Sequence, residues 1–137
     1  MIHSAASKRR PDSTGFLHEA LTRRIIGVCI QVSNELGAGF LESVYHRALI
    51  IALHEDGLPA QSKPEIRVVF RGRDVGTFSP DFLVDGRVLL ELKPVRGLAP
   101  EHQAQVINCL KATPVEVGLL VNFGRPRLEI KRLYRDS

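Results

Sequence analysis

The stretch Pro80-Asp81-Phe82-Leu83-Val84-Asp85-Gly86-Arg87-Val88-Leu89-Leu90-Glu91-Leu92-Lys93 constrains this chain more than any other. It reads as two apolar strands joined at Asp85-Gly86, a strong short-range hairpin signal. Three charged residues interrupt the apolar pattern: Asp81 at the start of the first strand, Glu91 and Lys93 near the end of the second. Glu91 and Lys93 lie two apart, so on a strand they point to one side, while Leu90 and Leu92 point to the other. A carboxylate and an ammonium inside Val-Leu-Leu-Glu-Leu-Lys are costly unless they are paired or bound to a metal.

Register decides what these charges can do together. A two-residue loop at Asp85-Gly86 pairs Val84 with Arg87, sets Asp81 against Leu90 and puts the two carboxylates on opposite faces. A three-residue connection, or one bulge, shifts the pairing by one and sets Asp81 opposite Glu91. The shifted register is the expectation adopted here. Two carboxylates brought together on a sheet either raise a pKa or hold a hard cation through oxygen.

Around this hairpin the chain reads as one α/β domain. Phe16 to Leu36 has apolar residues near a 3.6 period, ending at Gly37-Ala38-Gly39, and is predicted as a helix. A second helix runs from Phe40 or Leu41 to about Asp56, with Leu41, Val44, Tyr45, Ala48, Leu49 and Leu53 on its apolar face. Glu65 to Phe70 and Val75 to Val84 read as strands, the latter bent near Pro80 because proline cannot donate to a ladder. Arg87 to Lys93, apolar on both faces, is predicted to be central. Glu101 to Ala112 is predicted as a helix with Ala104, Ile107, Cys109 and Leu110 inward, Pro100 suiting its first turn. Val115 to Asn122 and Arg127 to Tyr134 follow as strands. The order α-α-β-β-β-α-β-β implies a mixed sheet flanked by helices, with a crossover from Lys93 to a parallel neighbour.

Several classes are set aside by composition. With 137 residues the chain fits one domain. Residues 1–14, polar and basic, read as a disordered tail, leaving 15–137 as the domain. No run approaches the roughly 20 apolar residues of a membrane span, and no secretory signal is evident, so a cytoplasmic protein with no membrane partner is expected. Cys29 and Cys109 fall in apolar periodic segments and read as buried thiols. The net charge of +4 permits a nucleic-acid partner without requiring one. There is no glycine-rich phosphate loop, Cys-x-x-Cys pair or Gly-x-Ser-x-Gly elbow.

Pro80-Asp81 followed by Glu91-Leu92-Lys93 resembles the signature of the PD-(D/E)XK nuclease superfamily. Gly39-Phe40-Leu41-Glu42-Ser43-Val44-Tyr45 matches the motif of its GxxExxY family, and His102-Gln103-Ala104-Gln105 and Gly118 to Gly124 are also similar to that family. These matches run in order from about Ile25 to about Leu133. The resemblance implies a restriction-endonuclease-like core and a nuclease acting on DNA or RNA. It implies Mg²⁺ or Mn²⁺ held by Asp81, Glu91 and Glu42, with the Leu92 carbonyl as a further ligand. Lys93 would orient or deprotonate a water, or stabilise the phosphate in transit, and Gln105 would orient Lys93 or the water. His102 and Gln105 share a helical face.

Blander readings stand beside these. Tyr45 fits core packing with its hydroxyl at an edge, Glu42 a favourable first-turn charge, and His102 an exposed first-turn residue. Asp81, Glu91 and Lys93 together fit a structural ion-pair network. A non-catalytic nucleic-acid- or protein-binding module on the same fold is the alternative to the enzyme. The sequence leaves the oligomeric state open, a homodimer included. If the carboxylates form a like-charge cluster, removing one is expected to leave the metal-free fold at least as stable.

Overall fold

The computed structural model of the protein describes residues 17–135. The basic segment 1–14 lies outside the described residues. Two helices open the fold, α1 (Glu19–Leu36) and α2 (Glu42–Glu55), and a third, α3 (Pro100–Lys111), follows the central hairpin. Between and after them run β1 (Ala60–Ser62), β2 (Ile66–Phe70), β3 (Arg73–Phe78), β4 (Phe82–Val84), β5 (Val88–Lys93), β6 (Val117–Asn122) and β7 (Glu129–Tyr134).

Five strands form one mixed sheet in the order β1-β4-β5-β6-β7, while β2 and β3 pair only with each other. β5 lies at its centre and runs parallel to β6, as the intervening helix requires; the other pairs are antiparallel. The alternation of β5 divides the core. Val88, Leu90 and Leu92 pack with Ile25, Val28, Leu49 and Leu53 of the α1–α2 layer. Leu89 packs with Val106, Cys109 and Leu110 of α3 on the other face. Gly118 lets α3 approach closely, since a Cβ there would stand 2.9 Å from the Val106 side chain.

The hairpin adopts the shifted register, with Val84 opposite Val88 and Phe82 opposite Leu90. Asp85 and Gly86 both carry positive φ, 53° and 66°, and the Arg87 N–H donates to the Val84 carbonyl at 3.0 Å. Arg87 is the extra residue that slips the ladder by one.

Four points of the sequence reading need correction. The segment from Val75 to Val84 is not one bent strand. It breaks at Ser79-Pro80-Asp81, so β3 leaves the main sheet with β2 and β4 alone stays in it. Ala60–Ser62 was not anticipated as a strand; all three residues are exposed and give no periodicity. Val106 rather than Ala104 faces inward from α3, because the crossing over Gly118 selects that stripe. Leu41 likewise leaves the core: it precedes α2 and is 76% exposed.

Both cysteines are buried thiols. Among the described residues no helix is long and apolar enough to cross a membrane.

Candidate active site at the end of the central strand

The charged residues gather at the C-terminal end of β5, where β4 has not yet begun. Because β4 starts at Phe82, Asp81 lies at the sheet's rim, opposite Glu91 by continuation of the register. Its backbone N–H donates to Glu91 Oε1 at 3.0 Å, and the Leu92 N–H donates to Asp81 Oδ2 at 2.9 Å. The Lys93 carbonyl turns the other way and accepts the Phe123 N–H at 2.7 Å. In a strand the N–H and C=O of one residue face the same edge. The Leu92 carbonyl therefore also faces Asp81.

Glu91 is pressed hard by this arrangement. Burial, a side-chain hydrogen bond with Asp81 and the Asp81 charge push its carboxyl up to about 8. Lys93 Nζ lies 3.9 Å from Glu91 Oε2, and both side chains are mostly buried. Burial and the neighbouring Asp81 charge thus favour the protonated form of Glu91.

Glu42 opens α2 and is half-buried. Burial raises its carboxyl and Asp81 raises it further, against the opposing charges of Lys93, Lys63 and His46. It lies within electrostatic reach of the same cluster. It does not close on it, for among the described residues no three His, Cys, Asp or Glu side chains converge closely enough to hold a metal ion. The anticipated trio of carboxylates takes the form of a tight pair with Glu42 at electrostatic range. Gln105 of α3 lines the same small cavity as Glu91, together with Pro80, Val106 and Cys109. There the Cys109 thiol is raised to about 11 by burial and by Glu91.

The other motif residues are built into the scaffold. Tyr45 is 1% exposed and stacks on Phe123 with ring centroids 4.7 Å apart. Its hydroxyl donates to the Gly37 carbonyl at 2.6 Å and accepts the Phe40 N–H at 3.2 Å. Gly39 between them carries a φ of 109°. Tyr45 thus ties the α1–α2 turn to Phe123, whose N–H holds the strand end presenting Lys93. Tyr45→Phe is expected to cost about 1–2 kcal/mol of stability, read by denaturant titration. His102 caps α3, its Nδ1 accepting the Ala99 N–H at 3.0 Å.

Sequence reasoning missed His46. Its Nδ1 stands 2.8 Å from Asp81 Oδ1 and its Nε2 2.7 Å from Ser62 Oγ, with the ring stacked on Phe82 at 4.3 Å. His46 thus bridges the Asp81 carboxyl and the Ser62 hydroxyl through its two ring nitrogens, the donor and acceptor roles following the tautomer. The available signal was its place one helical turn after Glu42.

Asn122, fully buried at the end of β6, was also given no role. Its Oδ1 accepts the N–H groups of Val95 and Gly124, each at 2.9 Å. Its Nδ2 donates at 3.2 Å to Glu129, which also accepts the Leu98 N–H at 3.1 Å. These bonds hold the Glu129 carboxyl below the usual range. They fix the loop 94–98 that leads from Lys93 to α3. Asn122→Ala strands two backbone donors and should cost about 3 kcal/mol, measured by urea unfolding.

A model of the PD-(D/E)XK nuclease superfamily matches residues 19–133, nearly the whole described chain. The protein belongs to that superfamily. Its fold is similar to the crystal structure of an alkaline exonuclease from Laribacter hongkongensis, at 20% identity and a TM-score of 0.51, covering 69% of this chain and 55% of that one. It is also similar to the crystal structure of SSO0001, at 18% identity and a TM-score of 0.56, covering 69% of this chain and 50% of that one. The chain thus matches about half the length of each. A search of curated proteins finds no match. In this superfamily member the Asp–Glu–x–Lys cluster stands where ligands of α/β sheets commonly bind, outside the carboxyl ends of parallel strands.

Proposed function

We propose that this protein is a divalent-metal-dependent nuclease hydrolysing phosphodiester bonds of nucleic acid. The observation that carries the reading is the meeting of Asp81, Glu91 and Lys93 at the rim of the central strand, with the Asp81 N–H on Glu91 Oε1 at 3.0 Å and Lys93 Nζ 3.9 Å from Glu91 Oε2. The donor set fits a hard cation, since it offers oxygen only: two carboxylates and the Leu92 carbonyl. Mg²⁺ commonly uses one or two carboxylates and leaves its other positions to water and substrate phosphate. Bound by Asp81, Glu91 and the Leu92 carbonyl, Mg²⁺ or Mn²⁺ would supply neutralisation of phosphate charge and acidification of a water.

The chain's own groups do the rest. His46 and the Leu92 N–H hold the Asp81 carboxylate in place from two sides. Lys93 presents its ammonium beside Glu91, where it can donate to a phosphoryl oxygen. Gln105 offers a carboxamide from the cavity wall to orient a water or Lys93. Glu42 adds a third negative charge near the pair. The Gly39–Tyr45 motif supports a place in the GxxExxY family, and the two buried thiols support a cytoplasmic setting.

A panel of labelled single- and double-stranded DNA and RNA, incubated with and without Mg²⁺ or Mn²⁺, tests the proposal. Cleavage of at least one substrate only when metal is present is expected. Metal-independent binding without cleavage would instead favour the non-catalytic module.

A further inference from the structure

The β2–β3 hairpin stands apart from the main sheet and arches beside α3. The groove between them is lined by Arg67 and Val69 from the hairpin, by Asn108 and Lys111 from α3, and by Phe78 at the hairpin's base. Phe78 also lines the cavity that contains Glu91 and Gln105. The groove therefore borders the candidate site at Phe78. Beyond it, the hairpin turn carries Arg71 and Arg73, with the Arg71 guanidinium 4.8 Å over the Phe70 ring. Val69, Phe70 and Val75 are each more than half exposed.

We infer that this groove is the track for a single nucleic-acid strand running away from the scissile phosphate. The inference rests on the nuclease reading above and adds a path for the substrate. A strand needs cationic groups spaced along it for its phosphates and apolar or aromatic walls for unstacked bases. Arg67 from the hairpin and Lys111 from α3 both line the groove, and Val69 and Phe78 provide the apolar walls. Arg67 has acidic neighbours, Glu65 at 3.9 Å and Asp74 at 3.6 Å, but remains 64% exposed and can turn to a phosphate. The guanidinium groups of Arg71 and Arg73 at the turn extend the cationic line past the groove.

The test uses fluorescein-labelled single-stranded DNA and RNA of about four and about twelve nucleotides, bound by the full chain carrying Lys93→Ala so that substrate persists. Anisotropy is read across a salt series. The longer strand is expected to bind more tightly and with a steeper salt slope than the shorter. Adding Arg67→Gln and Lys111→Gln should lower the long strand's slope by about 0.7 per residue removed, leaving the short strand's affinity within twofold. Equal losses for both lengths, or none, would overturn the track. So would a groove whose variants change only the sedimentation of the protein, which would make it a contact with a second copy. If Lys93→Ala binds neither strand while wild type cleaves nothing, the nuclease reading itself fails. If the parent binds and the groove variants match it, only the track fails.

Discussion

Lys93→Ala is expected to slow nucleic-acid cleavage by about 10²–10⁴-fold while keeping the rise in melting temperature that Mg²⁺, as a ligand of the folded state, should give wild type. Lys93 extends from the last residue of β5, and its ammonium sits 3.9 Å from Glu91 Oε2. It cannot ligate a cation, so its loss removes proton handling or phosphate stabilisation without removing the metal donors. The ammonium is also one of the charges that offset the raised Glu42 and Glu91 carboxyls. Its removal should therefore tighten the hold of the two acids on protons and leave the fold intact. Single-turnover cleavage and thermal melts on one preparation separate the two effects. Wild-type rates in the variant would remove Lys93 from the mechanism.

Glu91→Gln is expected to abolish both activity and the metal response while making the metal-free protein more stable at alkaline pH. The sign follows from linkage. Glu91 is raised from 4.5 to about 8 in the folded protein, so its stabilising contribution is complete below about 4.5 and is lost as pH rises through about 8. Wild type without metal should weaken over that window, and the uncharged amide should remove this part of the slope. Asp81→Asn should lose the same functions at a different cost. Like-charge relief alone would leave such a variant at least as stable as wild type. Asp81, however, accepts the His46 ring and the Leu92 N–H on its two oxygens, and is 1% exposed. An amide can accept on only one side, so Asp81→Asn should lose about 1–3 kcal/mol. Urea unfolding at pH 5 and pH 9 distinguishes the two substitutions.

The central hairpin was legible because its information is local. Asp85-Gly86 announces the turn, and embedded charges need a reason to lie opposite each other, which selects the slipped ladder. The helices and β5 to β7 were legible for the same reason, each carrying its own period. What failed was long-range. Nothing in Val75 to Val84 says that Pro80 divides two sheets, because both halves have strand composition. Ser62 and His46 meet across separate elements, and no spacing in the chain records that. Asn122 looked like the end of a strand, yet its side chain organises a loop reached from Val95, Leu98 and Glu129. Tyr45 and Glu42 share a motif but part ways in the fold: the ring is absorbed by packing on Phe123, and the carboxyl is left within electrostatic reach of the charged cluster.

Calorimetric titration of Mn²⁺ into the metal-free wild type at pH 7, in two buffers of different ionisation enthalpy, bears most directly on the Asp81–Glu91 pair as a cation site. The predicted result is saturable binding with release of protons, because burial and Asp81 raise the Glu91 carboxyl, which must ionise to ligate. Glu91→Gln should show neither the proton release nor the affinity. Absence of saturable heat in wild type, or binding that is unchanged in Glu91→Gln, would contradict the account.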